Sequence, residues 1–146
     1  MPEPADQNQP PPPPSPGLET GPKPTSTGLP SNVAAAIACI PLIGGIIFYI
    51  LEKHDSFVRF YAMQSIIFGI AWILIQIGCA IVSGFFSALP GVSWFLGGLW
   101  GVAWWLINLG LFVLLVVAIV KAFTGVRWDI PYIGPIARKQ VEGAAP

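Results

Sequence analysis

The chain has 146 residues, of which 54% are hydrophobic and only 10% charged, with seven Lys/Arg set against seven Asp/Glu. A soluble domain carries nearer a quarter charged residues, so the polar surface a water-facing globule needs is missing, and the mean hydropathy of +0.70 agrees. The balanced charge has no basic stripe to suggest a nucleic-acid footprint, and Cys39 and Cys79 lie in apolar stretches without metal-ligand spacing.

Residues 1–30 hold eleven prolines, including the run Pro10–Pro14, and almost no large apolar side chains. Such a segment buries too little surface to offset its ordering entropy, so a disordered tail with polyproline II character is expected. Its composition favours a solvated tether over a ligand for an aromatic-lined groove. The N-terminus is acidic and Pro-rich rather than basic then apolar, so it does not read as a signal peptide.

A first membrane span is expected over about residues 32–51. Twenty residues rise about 30 Å, one hydrocarbon thickness. Pro41 lies inside it, followed by Gly44 and Gly45. Proline lacks the N–H that would reach the Ile37 carbonyl, so a kink is expected there.

The polar cluster Glu52-Lys53-His54-Asp55 follows. Asp55 or Ser56 suits the N-cap of a second helix over about 57–86, with the apolar span proper at 64–86. From Phe60 to Val120 the chain carries no charged side chain, a run of 61 residues. That is too long for one span and enough for two. Leu89-Pro90-Gly91 is a turn signal. A third span is expected at about 99–120, with Ser93–Gly101 an interfacial or short re-entrant piece before it. Gly125 suits a helix C-cap, and Ile130–Ala137, apolar but holding two prolines, is expected to lie on the membrane surface.

The fold class is therefore all-α integral membrane: three transmembrane helices, an interfacial segment before and after the third, and a disordered N-terminal tail. The corresponding division is 1–30, 31–139 and a C-terminal tail at 140–146. With three spans, Lys53, Arg59, Lys121, Arg127, Arg138 and Lys139 share one side against Lys23 on the other. The positive-inside rule then places the first loop and C-terminus in the cytoplasm of a cell (inner) membrane and the tail outside.

Polar residues inside the bilayer are the default functional suspects. Here they are Gln76 and Asn108, at matching depth in adjacent spans, where an interhelical hydrogen bond is favoured over a polar pore lining. Trp100 and Trp104 read as packing bulk. His54 with Glu52 and Asp55 offers too few converging ligands for a metal. No acid or base lies within the spans, so neither an enzyme nor a cofactor is expected.

Two segments together resemble a known family. One is Asn32-Val-Ala-Ala-Ala, a Pro/Gly-containing span, Glu52-Lys53, then Phe57-Val-Arg-Phe-Tyr-Ala-Met-Gln-Ser65. The other is Val120-Lys-Ala-Phe-Thr-Gly125, then Ile130-Pro-Tyr-Ile-Gly-Pro-Ile-Ala137. In order and spacing they are similar to the Tic-twenty-like small membrane proteins of bacteria and archaea, grouped as domain of unknown function 4870, over about residues 31–139. Members of that family usually have His where this chain has Tyr61. The resemblance implies signature positions at Glu52, Phe57, Arg59, Phe60, Gln64, Lys121, Gly125, Pro131 and Gly134. All fall at or near the expected cytoplasmic face, so on physical grounds they are expected to form one interfacial constellation in which Arg59 pairs with Glu52. The resemblance also implies, through a chloroplast relative in the inner-envelope import machinery, a link to protein translocation. The expected role is a subunit or scaffold of a membrane assembly, with the lipid bilayer and other membrane proteins or further copies as partners. A homo-oligomeric channel or carrier is the alternative.

Overall fold

The computed structural model describes residues 25–91 and 93–143, so the Pro-rich run Pro10–Pro14 lies outside the described residues. Five helices follow one another: α1 (Ser31–Ala38), α2 (Ile43–Leu51), α3 (Ser56–Ser87), α4 (Ser93–Phe123) and α5 (Ile133–Gly143). No strand occurs among the described residues.

Two helices, α3 and α4, are long and apolar enough to cross a membrane. With 32 and 31 residues they each rise roughly 45–50 Å, more than a hydrocarbon core. Asp55 caps α3: its Oδ1 accepts from the Phe57 N–H at 2.8 Å and the Val58 N–H at 3.4 Å. The reversal into α4 uses Gly91 at φ 87°, a backbone region only glycine enters freely. The interfacial piece expected before the third span is absent as a separate element, because α4 runs unbroken from Ser93. Gly97, Gly98 and Gly101 do not break it. In apolar surroundings the helix's own carbonyls are the only partners its N–H groups have.

The first expected span is not one helix. Its polypeptide leaves α1 at Ala38 and begins α2 at Ile43. Between them Leu42 takes φ 62°, ψ −65°, and the Ile43 N–H donates to the Pro41 carbonyl at 2.8 Å. This is a three-residue turn of the strained kind. Ser65 Oγ on α3 steadies it by donating to the Ile40 carbonyl at 2.9 Å.

The two ends of the segment then meet. Ser26, just before α1, donates its N–H to Glu52 Oε2 at 2.8 Å and its hydroxyl to Oε1 at 2.9 Å, just after α2. Asn32 Nδ2 donates to the Phe123 carbonyl at 3.1 Å, which sets the start of α1 beside the end of α4. The segment is a helical hairpin whose two ends lie together. Eight and nine residues rise only about 12–14 Å, less than half of an α3 length. The sequence expectation of a kinked span counts apolar residues, and such a count has no sense of direction. What permits the reversal is Pro41 without its N–H, followed by two glycines that allow close approach. A Cβ on Gly44 would lie 2.4 Å from the Ile37 carbonyl oxygen, and one on Gly45 would lie 2.7 Å from that of Ala62.

At the other end α4 closes with a Schellman arrangement. The Gly125 N–H donates to Ala122 at 3.1 Å, and the Val126 N–H donates to Lys121 at 3.1 Å, with Gly125 at φ 76°. After an extended stretch, α5 forms where a surface strip holding two prolines was expected. Pro135 occupies its first turn, where no N–H is required. Ala137 and Val141 of α5 are buried and the helix packs along α3. It reaches Gly143, so most of the expected C-terminal tail is helical. The structured region likewise begins by Thr25, within the stretch read as tail.

The core lies at one end of the α3–α4 hairpin, here called the base. Phe57, Val58, Phe60, Tyr61, Ala62 and Phe68 of α3 meet Ala34, Ala35 and Ala38 of α1, Ala118 and Ala122 of α4, and Ile130 and Ala137.

Candidate functional site

Glu52 is fully buried at the mouth of the α1–α2 hairpin. Besides the two donations from Ser26, its Oε1 accepts the His54 N–H at 3.2 Å and the Asp55 N–H at 3.1 Å. Burial pushes this carboxyl's pKa up. The donations from Ser26, Asp55 and His54 outweigh it, so the value lies below the ordinary 4.5. The pairing expected with Arg59 is not made, because backbone N–H groups and Ser26 already fill the carboxylate. The Arg59 guanidinium instead lies over the Tyr49 ring at 5.1 Å.

Phe57 and Phe60 flank Tyr61 edge-on, at 5.2 and 5.3 Å between centroids. The Tyr61 hydroxyl donates to the Val126 carbonyl and accepts the Trp128 N–H at 3.1 Å. One turn on, Gln64 Nε2 donates to the Trp128 carbonyl at 3.4 Å, and Gln64 Oε1 accepts the Ile130 N–H at 3.4 Å. Tyr61 and Gln64 together serve the extended Val126–Ile130 backbone as an edge strand would. Buried backbone groups need such partners. Sequence reading places Gln64 in the constellation but gives Tyr61 no function. The available signal was its spacing, one helical turn before a glutamine on a face otherwise apolar.

The remaining signature positions, and two arginines outside that set, take structural posts at the same end. Arg127 Nη2 donates to Ser56 Oγ at 2.6 Å, and the guanidinium lies 5.9 Å from the Phe60 ring. Arg138 pairs with Asp129 at 2.8 Å, and its guanidinium lies 6.0 Å from the Phe60 ring centroid. Lys121 ends α4, Gly125 caps it, Pro131 is exposed, and Gly134 packs so closely that a Cβ would lie 2.4 Å from Asp129 Cβ. Among the described residues no three His, Cys, Asp or Glu side chains gather as a metal site.

Far from the base, the structure brings Gln76 and Asn108 together, with Gln76 Nε2 donating to Asn108 Oδ1 at 2.6 Å. Trp104 Nε1 donates to Gln76 Oε1 at 3.0 Å, and Asn108 Nδ2 donates to the Trp104 carbonyl at 2.9 Å. Trp100 Nε1 donates to Ser83 Oγ at 2.9 Å. The two tryptophans read as bulk are thus interhelical donors. Both cysteines are unbridged.

The profile of the magnetosome magnetite crystal formation proteins matches residues 25–137, the stretch that runs from the Ser26 clip into α5. The chain belongs to this family. It is also similar to two UPF0132 membrane proteins of Methanocaldococcus jannaschii. The first is 40% identical over 117 residues, covering 79% of this chain and 92% of the relative. The second is 35% identical over 113 residues, covering 77% and 71%. A UPF0132 membrane protein of Archaeoglobus fulgidus is 32% identical over 114 residues, covering 77% and 96%. No solved structure matches.

Membership in the magnetite crystal formation family overturns the resemblance to Tic-twenty-like proteins, and the link to protein translocation falls with it. The residues that suggested that likeness are caps, turn glycines, interface aromatics and basic anchors at helix ends. Membrane proteins in general need such residues at those places. The protein is a membrane protein by its relatives and by its two long apolar helices.

Proposed function

We propose that this family member is a non-enzymatic scaffold or subunit of a membrane assembly, crossing the bilayer twice and presenting its base to the cytoplasm. One observation carries the reading: the Ser26–Glu52 clip returns the first apolar segment to its starting face. With two crossings rather than three, the N-terminal tail, the first loop, the Lys121–Ile130 connection and α5 lie on one side. Every charged side chain of the described residues then falls on that side, since none occurs from Phe60 to Val120. The positive-inside rule makes it cytoplasmic. This differs from the three-span expectation only in the tail, which moves from outside to inside.

The scaffold reading rests on where the polar groups go. At the base they hold backbone in place, and in the spans they hold two helices together. The homo-oligomeric channel is not carried forward, because Gln76 and Asn108 turn to each other and to Trp104 rather than to a common axis. The family description concerns magnetite crystal formation, and a membrane scaffold is the part of such a role that this geometry supports.

Single cysteines at Thr20, His54 and Ala88, in a background with Cys39 and Cys79 replaced by Ala, test the topology in right-side-out and inverted vesicles. Labelling of Thr20→Cys and His54→Cys from one side and of Ala88→Cys from the other is expected. Labelling of the first two from opposite sides refutes two crossings. For the assembly role, a C-terminally tagged chain is extracted gently and the intact complex weighed. Foreign subunits in fixed proportion are expected, and a complex of this chain alone refutes the subunit reading.

A further inference from the structure

The acids and bases at the base are unequally engaged. Glu52 is filled by donors, Asp55 Oδ1 caps α3, and Asp129 holds Arg138. Arg127 is tied to Ser56. Arg59 is different. Among the described residues its Nη2 reaches only the Tyr49 hydroxyl, at 3.5 Å, and its Nε is buried without an acceptor. Among the described residues no carboxylate forms an ion pair with it: Glu52 is filled by N–H and hydroxyl donors, and Asp55 turns Oδ1 to the N–H groups of α3 while its buried Oδ2 makes no hydrogen bond. A guanidinium cannot shed its proton, so a half-buried one without a counter-ion is costly.

We propose that Arg59, seated on the Tyr49 ring with Lys53 on the adjoining loop, binds the phosphate of an anionic lipid headgroup. The proposal rests on the membrane placement above. Arg59 stands in the first turn of α3 and Tyr49 in the last turn of α2, where both helices emerge at the base, the depth of the headgroups. The planar fork of arginine matches phosphate oxygens in pairs, and the Tyr49 ring, 5.1 Å from the guanidinium carbon, helps hold it in place. Lys53 is exposed on the connecting loop and adds a second positive charge. A zwitterionic headgroup brings its own ammonium, so the unmatched charge selects a net-negative lipid.

The test uses purified full-length protein in neutral detergent and native mass spectrometry, with phosphatidylglycerol, phosphatidylcholine or inorganic phosphate added. It does not depend on which way the protein sits in a membrane, so its failure is separable from failure of the topology. Wild type is expected to retain phosphatidylglycerol in preference to phosphatidylcholine. Arg59→Gln should weaken retention about tenfold, the loss of a charge-assisted hydrogen bond. Arg59→Lys keeps the charge without the fork, guards against misfolding of the Gln variant, and should fall between. Lys139→Gln, on exposed α5, should change nothing. Equal retention of both lipids, displacement by inorganic phosphate at equal concentration, or an equal loss in Lys139→Gln would each overturn the proposal.

Discussion

The base and distal halves of the α3–α4 hairpin solve the same problem in opposite ways. From Phe57 to Gly69, nine residues of α3 are buried, whereas beyond Gly69 only Cys79 is. The α1–α2 hairpin makes the difference. Its tip, Pro41 and Leu42, stops against Gly69, and above it opens an apolar concavity of about 460 Å³ lined by Trp72, Ile73, Gln76, Ile77 and Ala80. The base is folded as a soluble core is folded, with side chains such as Tyr61 and Gln64 satisfying irregular backbone. The distal half is two bare helices whose polar side chains satisfy one another. A hairpin less than half as long as α3 thus gives one small chain a rigid platform at one end and two bare helices at the other. Folding in the base gains from apolar burial against water-exposed loops, while distal association depends on packing and interhelical hydrogen bonds.

The sharpest way to break that contrast is to overfill one glycine in each half. Gly45→Val drives a side chain into the Ala62 carbonyl and Ile66, and should destabilise the protein by about 3 kcal/mol. Gly78→Val meets nothing within 4 Å and should stay within about 0.5 kcal/mol of wild type. Thermal unfolding in detergent measures both, and equal effects would deny that the base is the packed half.

Removing one polar group from each half gives the next comparison. Tyr61→Phe keeps the ring but orphans the Val126 carbonyl and the Trp128 N–H, a loss of about 2 kcal/mol. Its second readout is faster amide exchange from Val126 to Ile130, with α4 unchanged. Gln76→Leu removes an acceptor and a donor between spans and should cost about 1 kcal/mol, because the separated helices find other partners in lipid. Steric trapping or a denaturing-detergent titration reads it. A Gln76→Leu loss larger than that of Tyr61→Phe would reverse the assignment of where stability resides.

The two halves were also unequally legible. A charge-free run of 61 residues with one Leu-Pro-Gly turn is enough to place two long apolar helices, because span length follows from bilayer thickness. Asp55 and Gly125 mark their helix ends through local cap chemistry. The break between α1 and α2 was not legible, though its ingredients were. Pro41 with Gly44-Gly45 specifies that backbone bonding fails and that close approach is allowed. Whether the chain then continues or returns is decided by Ser65 reaching the Ile40 carbonyl and by Ser26 reaching Glu52, contacts separated by 25 and 26 residues. Local pattern carries no such pairing. For the same reason Glu52 suggests an ion pair with the nearest arginine, when the ends of a hairpin supply it with N–H groups instead.

The smallest expected effect concerns pH, and it isolates the base most cleanly. No Asp, Glu, Lys, Arg or His occurs from Phe60 to Val120, so acid has no carboxylate to protonate in the distal half. Glu52 has a folded-state pKa below its ordinary 4.5, because its donors outweigh burial. Its stabilisation is therefore complete above the unfolded value and is lost as pH falls through the folded one. Melting temperature should hold steady at neutral and mildly acid pH and decline below about pH 4.5. Glu52→Gln should be less stable at neutral pH, because it presents an amide to four donors, and its acid decline should be shallower than that of wild type. The decline should also be local. Amide exchange, corrected for its intrinsic pH dependence, should quicken first around Ser26 and the loop Glu52–Asp55, while the segment around Gln76 and Asn108 holds. Simultaneous loosening of both would mean that the clip and the anchor form one cooperative unit, and that the hairpin's depth, rather than its chemistry, sets the boundary between the halves.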